Sequence, residues 1–283
     1  MIKLPLNIDY TGKVVVITGA GGLICGAMAR AFAQSGAKVA ALDLNEDAVK
    51  ALADELKAEG FICEGYSANV LDKDVLESVH QKVINDLGYC DILVNGAGGN
   101  NPRCTTAHEY YEAGDELTTE FKTFFNLQKE DFDFVFGLNL MGSMIPTRVF
   151  APDMINRDGS IINISSMNAF RPLTKIPAYS AAKAAVSNFT EWLAVHFANC
   201  GIRVNAIAPG FFVTKQNQAL LFTPDGEPTP RTEKILRATP MGRFGKPEEL
   251  LGTLRWLCDN SASGFVTGIV VPVDGGFSAY SGV

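Results

Sequence analysis

The segment "KVVVITGAGGLICG", residues 13–26, decides the fold, because it joins an apolar strand to a glycine-rich turn and a helix. An unbroken apolar run such as "KVVVI" is typical of a strand covered on both faces of a parallel sheet. Gly19 permits a tight turn after that strand, and Gly21 and Gly22 let backbone N–H groups approach an anion. The segment predicts a nucleotide-binding strand–turn–helix unit; on these residues alone, a glycine-rich joint without a ligand is the alternative.

Apolar runs and amphipathic segments alternate along the rest of the chain. The runs lie at 13–18, 38–44, 91–98, 160–166, 202–209 and 269–275, and the helix-like segments at 22–35, 46–59, 72–87, 129–157 and 177–199. This alternation predicts βαβ units, whose right-handed crossovers place helices on both faces of the sheet. We expect one α/β domain over residues 1–283, a doubly wound Rossmann fold with a mainly parallel sheet of about seven strands.

Two segments interrupt the alternation, at 99–128 and 211–231. Each follows the carboxyl end of a predicted strand, which is the edge at which open α/β sheets bind ligands. Long insertions at such an edge are usually functional. The second segment carries Pro and Gly in its second half and has the composition of a mobile lid. We expect both insertions on the substrate side.

Composition narrows the class of protein. The chain has 283 residues, 47% of them hydrophobic, and a net charge of −7, so it can bury a large core and has no basic surface typical of nucleic-acid binding. Its six cysteines and three histidines are scattered, which disfavours a metal site and suits a reducing cytosol. The N-terminus lacks the apolar core of a signal peptide, and the most apolar stretch is too short and broken to span a bilayer. We expect a cytoplasmic protein with no metal, nucleic-acid or membrane partner.

Asp43 ends the second apolar run, 24 residues after Gly19. This is close to the spacing at which an acidic side chain meets the adenosine ribose 2′-OH of a dinucleotide. A carboxylate there accepts hydrogen bonds from ribose hydroxyls and repels a 2′-phosphate, so the position favours NAD over NADP. The alternative is that Asp43 caps the following helix.

The sequence "YSAAK" at 179–183 provides a candidate acid–base pair. Residues four apart on a helix share a face, so Tyr179 and Lys183 can point into one cleft. A neighbouring ammonium is expected to lower the pKa of the phenol, which makes it a usable proton donor and acceptor. The pattern is weak alone, but Ser166 closes a predicted strand 13 residues upstream and Asn139 lies on the preceding long helical segment.

With these pieces together, the chain resembles the short-chain dehydrogenase/reductase family from Gly12 to Gly276. The matching pieces are "TGAGG", Asp43, "ANV" at 68–70, "NGAG" at 95–98, Asn139, Ser166, "YSAAK", "PGFFVT" at 209–214, "GRFGKPEEL" at 242–250 and "FVTG…VDGG" at 265–276. The resemblance implies an oxidoreductase that uses NAD as its cofactor.

The resemblance also implies a role for each matching residue. Tyr179 would be the general acid in carbonyl reduction and the base in alcohol oxidation, and Lys183 would hold the nicotinamide ribose. Ser166 would orient the substrate oxygen, and Asn139 would anchor a water that links Lys183 to solvent. The implied cofactor-binding residues are Gly19, Gly22, Leu23, Ile24, Asp43, Leu44, Asn69, Val70, Asn95, Ala97, Gly98, Tyr179, Lys183, Pro209, Gly210, Val213 and Thr214.

Four positions depart from the family's pattern. The usual T-G-x-x-x-G-x-G is "TGAGGLIC" here, so Leu23 and Cys25 stand where glycines normally lie. The usual acidic residue of the adenine site is Asn69, and the usual N-N-A-G is "NGAG". We expect Leu23 to reshape the turn, Gly22 to supply the needed flexibility, and dinucleotide binding to persist.

Within the family, "NGAGGNNPRCTT", "SSMNAF", the 99–128 insertion and the ending "FSAYSGV" resemble the sugar-acid reductases. The resemblance implies interconversion of D-mannonate and D-fructuronate. Polar side chains expected to rim the substrate cleft are Asn100, Asn101, Arg103, Asn168 and Arg171, together with Lys215, Gln216, Asn217 and Arg231; solvated loop residues are the alternative for each.

Other activities remain open at this point. The same fold could act on another carbonyl, as in gluconate 5-dehydrogenases or 3-oxoacyl reductases, or serve as a non-catalytic nucleotide-sensing regulator. The family resemblance also implies a homotetramer or homodimer, formed by the helices at 129–157 and 177–199. Apolar residues offered for that interface are Phe132, Phe136, Val186, Phe189 and Leu193, and core packing explains them equally well.

Overall fold

Seven parallel strands form one sheet in the order β3-β2-β1-β4-β5-β6-β7 in the computed structural model, which describes residues 9–115, 120–214 and 217–282. The strands are β1 (Val14–Thr18), β2 (Lys38–Asp43), β3 (Cys63–Ser67), β4 (Ile92–Asn95), β5 (Gly159–Ile164), β6 (Ile202–Pro209) and β7 (Val270–Val273). Strand order reverses between β1 and β4, and ligands bind beside such a reversal in open α/β sheets. The predicted Rossmann fold is confirmed.

Helices cover both faces of the sheet. They are α1 (Leu23–Gln34), α2 (Glu46–Ala58), α3 (Lys73–Asp86), α4 (Lys129–Phe136), α5 (Gly142–Phe150), α6 (Pro177–Phe197), α7 (Gln218–Leu221), α8 (Pro230–Ala238), α9 (Glu248–Cys258) and α10 (Asn260–Ser263). Side chains of β1 alternate between two core clusters: Val15 and Ile17 pack with α1, α2 and α9, whereas Val14 and Val16 pack with α3, α5 and α6. Both faces of β1 are buried, as its unbroken apolar sequence predicts.

The strand that the apolar pattern misses is β3, "CEGYS". It is an edge strand that pairs with β2 alone among the described residues, so part of it remains accessible to solvent. Cys63 and Tyr66 are buried, while Glu64 and Gly65 are half-buried and Ser67 is exposed. An edge strand of this kind does not need the continuous apolar run by which the inner strands are recognised.

The helix predicted over 129–157 is interrupted, which corrects that prediction. Helix α4 ends at Phe136, a π-helical turn follows over Gly137–Met141, and α5 ends at Phe150 before a 3₁₀ turn over Ala151–Met154. The stretch Lys129–Met154 is long and apolar enough to cross a membrane, but half of its most apolar window is buried inside the fold. It therefore packs as a core helix, and the π turn places Asn139 in its middle.

The two insertions leave the same edge of the sheet, after β4 and β6, as predicted. Helix α4 begins only at Lys129, so the first insertion does delay the next helix. The second contains α7 and the start of α8, and its residues Lys215 and Gln216 lie outside the described residues. An ion pair between Glu109 Oε1 and Lys234 Nζ (2.9 Å) joins the first insertion to α8, and Lys234 lowers the pKa of Glu109.

Candidate active site

The glycine-rich turn after β1 lies against the loop after β4. Gly19 has φ +72°, and a Cβ at this position would lie 2.9 Å from the backbone nitrogen of Ala97. Thr18 Oγ1 accepts hydrogen bonds from the N–H groups of Gly96 (3.0 Å) and Ala97 (3.2 Å). Backbone from two neighbouring strands is thus held together at the point where the strand order reverses. We call residues 95–98 the floor loop.

The start of α1 provides the features that a pyrophosphate requires. Gly22 is the N-cap, no side chain caps the helix, and its first turn contains no acidic residue. Leading N–H groups of a helix and its dipole favour an anion at such an end. Gly22 has φ −80°, so Gly19, rather than Gly22, takes the left-handed conformation of the turn, which corrects that expectation. Leu23 is 48% exposed and Cys25 is buried.

Asp43 is positioned by two backbone donors. Its Oδ2 accepts from the N–H of Gly21 (3.1 Å) and its Oδ1 from the N–H of Asn45 (2.9 Å). The N-cap of α2 is Asn45, whose side chain accepts from the N–H of Ala48. The helix-cap alternative for Asp43 is therefore wrong. Its carboxylate is fixed beside the glycine-rich turn, and the neighbouring Leu44 is 73% exposed.

The predicted adenine residues lie beside Asp43. The N–H of Ala68 donates to the carbonyl of Asp43 (2.8 Å), which holds the end of β3 next to β2. Asn69 is exposed, and its Oδ1 accepts from the N–H of Leu71 (3.0 Å). Val70 is buried, and its methyl group lies 3.2 Å from the Cβ position of Gly142. Only Asn69 of the predicted pair presents an exposed side chain.

The predicted acid–base residues converge at the carboxyl edge of β5. Tyr179 and Lys183 lie one turn apart on α6, with Lys183 Nζ 5.7 Å from the centroid of the Tyr179 ring. Ser166 Oγ accepts from the N–H of Asn168 (3.2 Å), and the Ser166 side chain lies close enough to the phenol to lower the pKa of Tyr179. Lys183 Nζ donates to the carbonyl of Ile164 (2.7 Å), which fixes its ammonium next to β5.

Burial changes the acidity of both groups in this pair. Burial raises the pKa of Tyr179, and the Ser166 hydrogen bond opposes that shift because it favours the ionised phenol. Burial also lowers the pKa of Lys183 to about 8, opposed by Cys25. The expectation of a lowered pKa for Tyr179 is wrong for this structure: desolvation of the phenol is the largest effect, and the net shift is upward.

Asn139 joins the π turn to the chain beyond the floor loop. Its Nδ2 donates to the carbonyls of Val135 (2.8 Å) and Gly99 (2.9 Å), and its Oδ1 accepts from the N–H of Gly99 (3.1 Å). A Cβ at Gly98 would lie 2.7 Å from Asn139 Oδ1 and 3.3 Å from Lys183 Nζ. Asn139, Gly98 and Lys183 therefore meet at one point.

Asn95 has its side chain in the core. Its Nδ2 donates to Thr147 Oγ1 and to Asn163 Oδ1, both at 2.9 Å, and the residue is 1% exposed. Asn163 Nδ2 in turn donates to Thr190 Oγ1 (2.9 Å). These bonds fix the end of β4 against β5, α5 and α6. The side chain of Asn95 thus acts on the floor loop through the strand that it anchors.

The turn after β6 forms the opposite side of the cleft. The N–H of Gly210 donates to the carbonyl of Val273 (3.0 Å), and a Cβ at Gly210 would lie 2.5 Å from Asp274 Cα. This close approach requires glycine immediately after Pro209. Val213 and Thr214 are half-buried, and the N–H of Thr214 donates to Asn217 Oδ1 (2.7 Å). Asn217 therefore shapes the start of the second insertion.

The predicted substrate residues differ in their surroundings. Asn101 Oδ1 accepts from the N–H of Arg103 (2.9 Å), so this amide caps a 3₁₀ turn. Asn100 Nδ2 donates to Thr105 Oγ1 (3.2 Å). Arg103 and Arg171 are exposed. Asn168 is 4% exposed, and its Oδ1 is buried with no hydrogen-bond partner in the part of the chain that the structure describes.

The first insertion reaches the acid–base pair directly. A small apolar cluster contains Cys104 and Leu127 of the insertion, Val135 of α4, and Ala178 and Tyr179 of α6. Sequence reasoning placed the insertion at the correct edge, but no residue pattern in it indicated contact with Tyr179. The tethering role of Thr18 was also missed, although a hydroxyl between a buried strand and a glycine turn is a usable signal.

Comparison with known proteins places this geometry in a family. The model of the short chain dehydrogenase family matches residues 13–223. The chain belongs to this family. A crystal structure from Haemophilus influenzae, provisionally assigned as a D-mannonate oxidoreductase and holding bound NAD, has a TM-score of 0.93 and 54% identity, covering 97% of this chain and 98% of that one.

Two further relatives are similar to this chain over nearly its whole length. The uncharacterised oxidoreductase UxuB of Bacillus subtilis is 50% identical over 281 residues, which is 99% of this chain and all of the relative. A gluconate 5-dehydrogenase from Burkholderia cenocepacia, in complex with NADP and tartrate, has a TM-score of 0.82 at 29% identity, covering 96% of this chain and 98% of that one. The similarity extends through both insertions.

Proposed function

We propose that this chain is an NAD-dependent oxidoreductase for which the reaction is D-mannonate + NAD⁺ ⇌ D-fructuronate + NADH + H⁺. The observation that carries the proposal is similarity over nearly the whole chain, insertions included, to the Haemophilus influenzae protein provisionally assigned that activity. The grouping of Ser166, Tyr179 and Lys183 at the sheet edge supports oxidoreductase chemistry independently of that name.

NAD fits the residues at the carboxyl edge. Uncapped N–H groups of α1 suit its pyrophosphate, and the Asp43 carboxylate suits the hydroxyls of its adenosine ribose. Lys183 lies where an ammonium could donate to the second ribose. When bound, NAD supplies the hydride acceptor, and NADH supplies the hydride donor.

Tyr179 handles the proton of the substrate oxygen in this proposal. In carbonyl reduction its hydroxyl donates a proton to the developing alkoxide, and in alcohol oxidation the phenolate removes the hydroxyl proton. The raised pKa keeps the phenol protonated near neutral pH, which suits donation in the reductive direction. Ser166, whose side chain lowers the pKa of the same phenol, would orient the substrate oxygen.

The polar start of the first insertion, residues 100–103, supports a sugar acid over an acyl thioester. The insertion borders Tyr179 and supplies Asn100, Asn101 and Arg103, whereas an acyl chain needs an apolar channel. An arginine binds a carboxylate through paired hydrogen bonds. Gluconate 5-dehydrogenase activity is the second candidate, because the Burkholderia cenocepacia enzyme shares the fold over 96% of this chain. Retention of the acid–base residues disfavours a non-catalytic regulator.

We also propose assembly into a homotetramer or homodimer through α4, α5 and α6. Val186 and Leu193 belong to the core, with 0% and 3% exposure, so core packing is the correct explanation for these two. The exposed apolar residues of α6 are instead Trp192 (57%) and Val195 (80%). Trp192 stacks between Phe189 and His196 on the helix surface, which presents a flat aromatic face.

A substrate panel tests the proposed reaction. Purified protein is assayed for NADH and NADPH oxidation with D-fructuronate, 5-keto-D-gluconate and an acetoacetyl thioester. We expect the highest kcat/KM with D-fructuronate and NADH, and turnover at least about 100-fold lower in Tyr179→Phe under the same conditions. A preference for 5-keto-D-gluconate would favour the second candidate, and a preference for the thioester would overturn the sugar-acid assignment.

A further inference from the structure

Gly96 of the floor loop faces Cys25 of α1 at very short range. A Cβ built on Gly96 would lie 2.2 Å from Cys25 Sγ and 2.9 Å from the carbonyl oxygen of Thr18. Two heavy atoms at 2.2 Å overlap, so residue 96 cannot carry a side chain while the sulfur keeps its position. Cys25 is 5% exposed, so the sulfur lies in a closed space beneath the loop.

These two residues are also positions at which the sequence departs from the family pattern. Cys25 stands where a glycine normally lies, and Gly96 stands where the pattern N-N-A-G has an asparagine. A larger side chain on α1 therefore meets a smaller residue on the floor loop. The larger residue at position 25 and the smaller residue at position 96 compensate each other in volume. This compensation is apparent only when both positions are considered together.

The floor loop also lies against the acid–base machinery. The Cβ position of Gly98 lies 2.7 Å from Asn139 Oδ1 and 3.3 Å from Lys183 Nζ. The loop thus lies against both Cys25 and the Asn139–Lys183 group, so a shift of the loop would change its contacts with these side chains. Burial raises the pKa of Cys25 to about 12, so this thiol is neutral and acts by packing.

We propose that Cys25 and Gly96 form a complementary packing pair that sets the position of the floor loop, and that Cys25 is a positioning residue for cofactor binding. The proposal rests on the proposed NAD cofactor but not on the identity of the substrate. It predicts that the effect of a side chain at position 96 depends on the residue at position 25.

A double-mutant cycle tests this coupling with two readouts, the Kd of NADH from nicotinamide fluorescence and the melting temperature. Gly96→Ala should raise the Kd about tenfold or more, as expected when a methyl group is forced into a packed position. Cys25→Ala removes the sulfur and leaves Cβ at 3.6 Å from the added methyl position, an ordinary contact. The double variant should therefore regain at least about threefold of the lost affinity, short of full recovery because the added methyl still lies 2.9 Å from the Thr18 carbonyl oxygen.

Cys63→Ala is the matched control, because Cys63 is also a buried thiol but belongs to β3. Combined with Gly96→Ala, it should give no recovery of NADH affinity. A double variant of Cys25 and Gly96 that binds as weakly as Gly96→Ala would overturn the proposal, as would recovery of melting temperature without recovery of Kd. If the unaltered protein does not bind NADH, the proposed function fails, and additive melting temperatures would then separately reject the packing pair.

Discussion

Replacement of Asp43 by alanine tests whether this carboxylate selects NAD. The side chain accepts from two backbone N–H groups at 2.9 and 3.1 Å, so it is oriented before any ribose arrives. A hydrogen bond to a charged group contributes about 1.5–3 kcal/mol. Loss of the acceptor for the ribose hydroxyls should therefore raise the Kd of NADH by about 10- to 100-fold.

The effect on NADPH should have the opposite sign. Two unit charges 4 Å apart repel by about 4 kcal/mol at an effective dielectric constant of 20. Asp43 is half-buried, so solvent and salt should reduce this repulsion to about 1–2 kcal/mol. Removal of the carboxylate should then lower the Kd of NADPH about 10-fold, and the ratio of the two constants should change by about 100-fold or more.

Fluorescence titration of both reduced cofactors measures this ratio without any knowledge of the substrate. Asn45→Ala is the matched control, because it removes the side-chain cap of α2 and costs about 1 kcal/mol of stability without removing the Asp43 carboxylate. Its NADH/NADPH ratio should stay within about twofold of that of the unaltered protein. An unchanged ratio in Asp43→Ala would refute the assignment of Asp43 as the discriminating residue.

Two further predictions concern the acid–base pair. Tyr179→Phe should reduce kcat by about 10²- to 10⁴-fold while the Kd of NADH stays unchanged; an active variant would remove Tyr179 from the mechanism. Burial lowers the pKa of Lys183 in the folded chain from 10.5 to about 8. Between pH 8 and pH 10.5 the unfolded chain therefore binds a proton that the folded chain lacks. For this reason the stability of the fold rises with pH in this range. From pH 7.5 to 9.5, urea unfolding should therefore show the unaltered protein gaining about 2 kcal/mol relative to Lys183→Met. The exposed Lys246→Met should track the unaltered protein, and a constant difference for Lys183→Met would contradict the shift.

The inner strands could be predicted because both of their faces are covered. "VVVIT" of β1 and "IRVNAIAP" of β6 are buried at every position, so their sequences carry the continuous apolar signal. The edge strand β3 lacks this signal because it contains half-buried and exposed positions. The other edge strand, β7, has no buried position, yet its apolar sequence "VVPV" predicts it, so apolar patterning does not require complete burial.

Some properties of the site residues could be predicted from the sequence, and others could not. Tyr179 and Lys183 could be paired from their spacing, because one helical turn fixes their geometry. The pKa of Tyr179 could not be predicted from the sequence, because it depends on desolvation by residues that lie far apart in the chain. Nor could spacing foresee that Asn139 lies in a π turn, where it bonds to Gly99 across 40 residues of sequence.

The first insertion bears on which substrate binds, whereas the acid–base residues bear on which reaction occurs. Ser166, Tyr179 and Lys183 lie on β5 and α6 and their surroundings, elements that the family shares, so they indicate the type of chemistry alone. The insertion packs against Tyr179 through Cys104 and Leu127, and it is tied to α8 by the Glu109–Lys234 ion pair. The first insertion therefore borders the acid–base residue and is joined to α8, the helix that begins within the second insertion. Identity of 54% to the Haemophilus influenzae protein over 97% of this chain is therefore stronger support for a sugar-acid substrate than the shared acid–base motif.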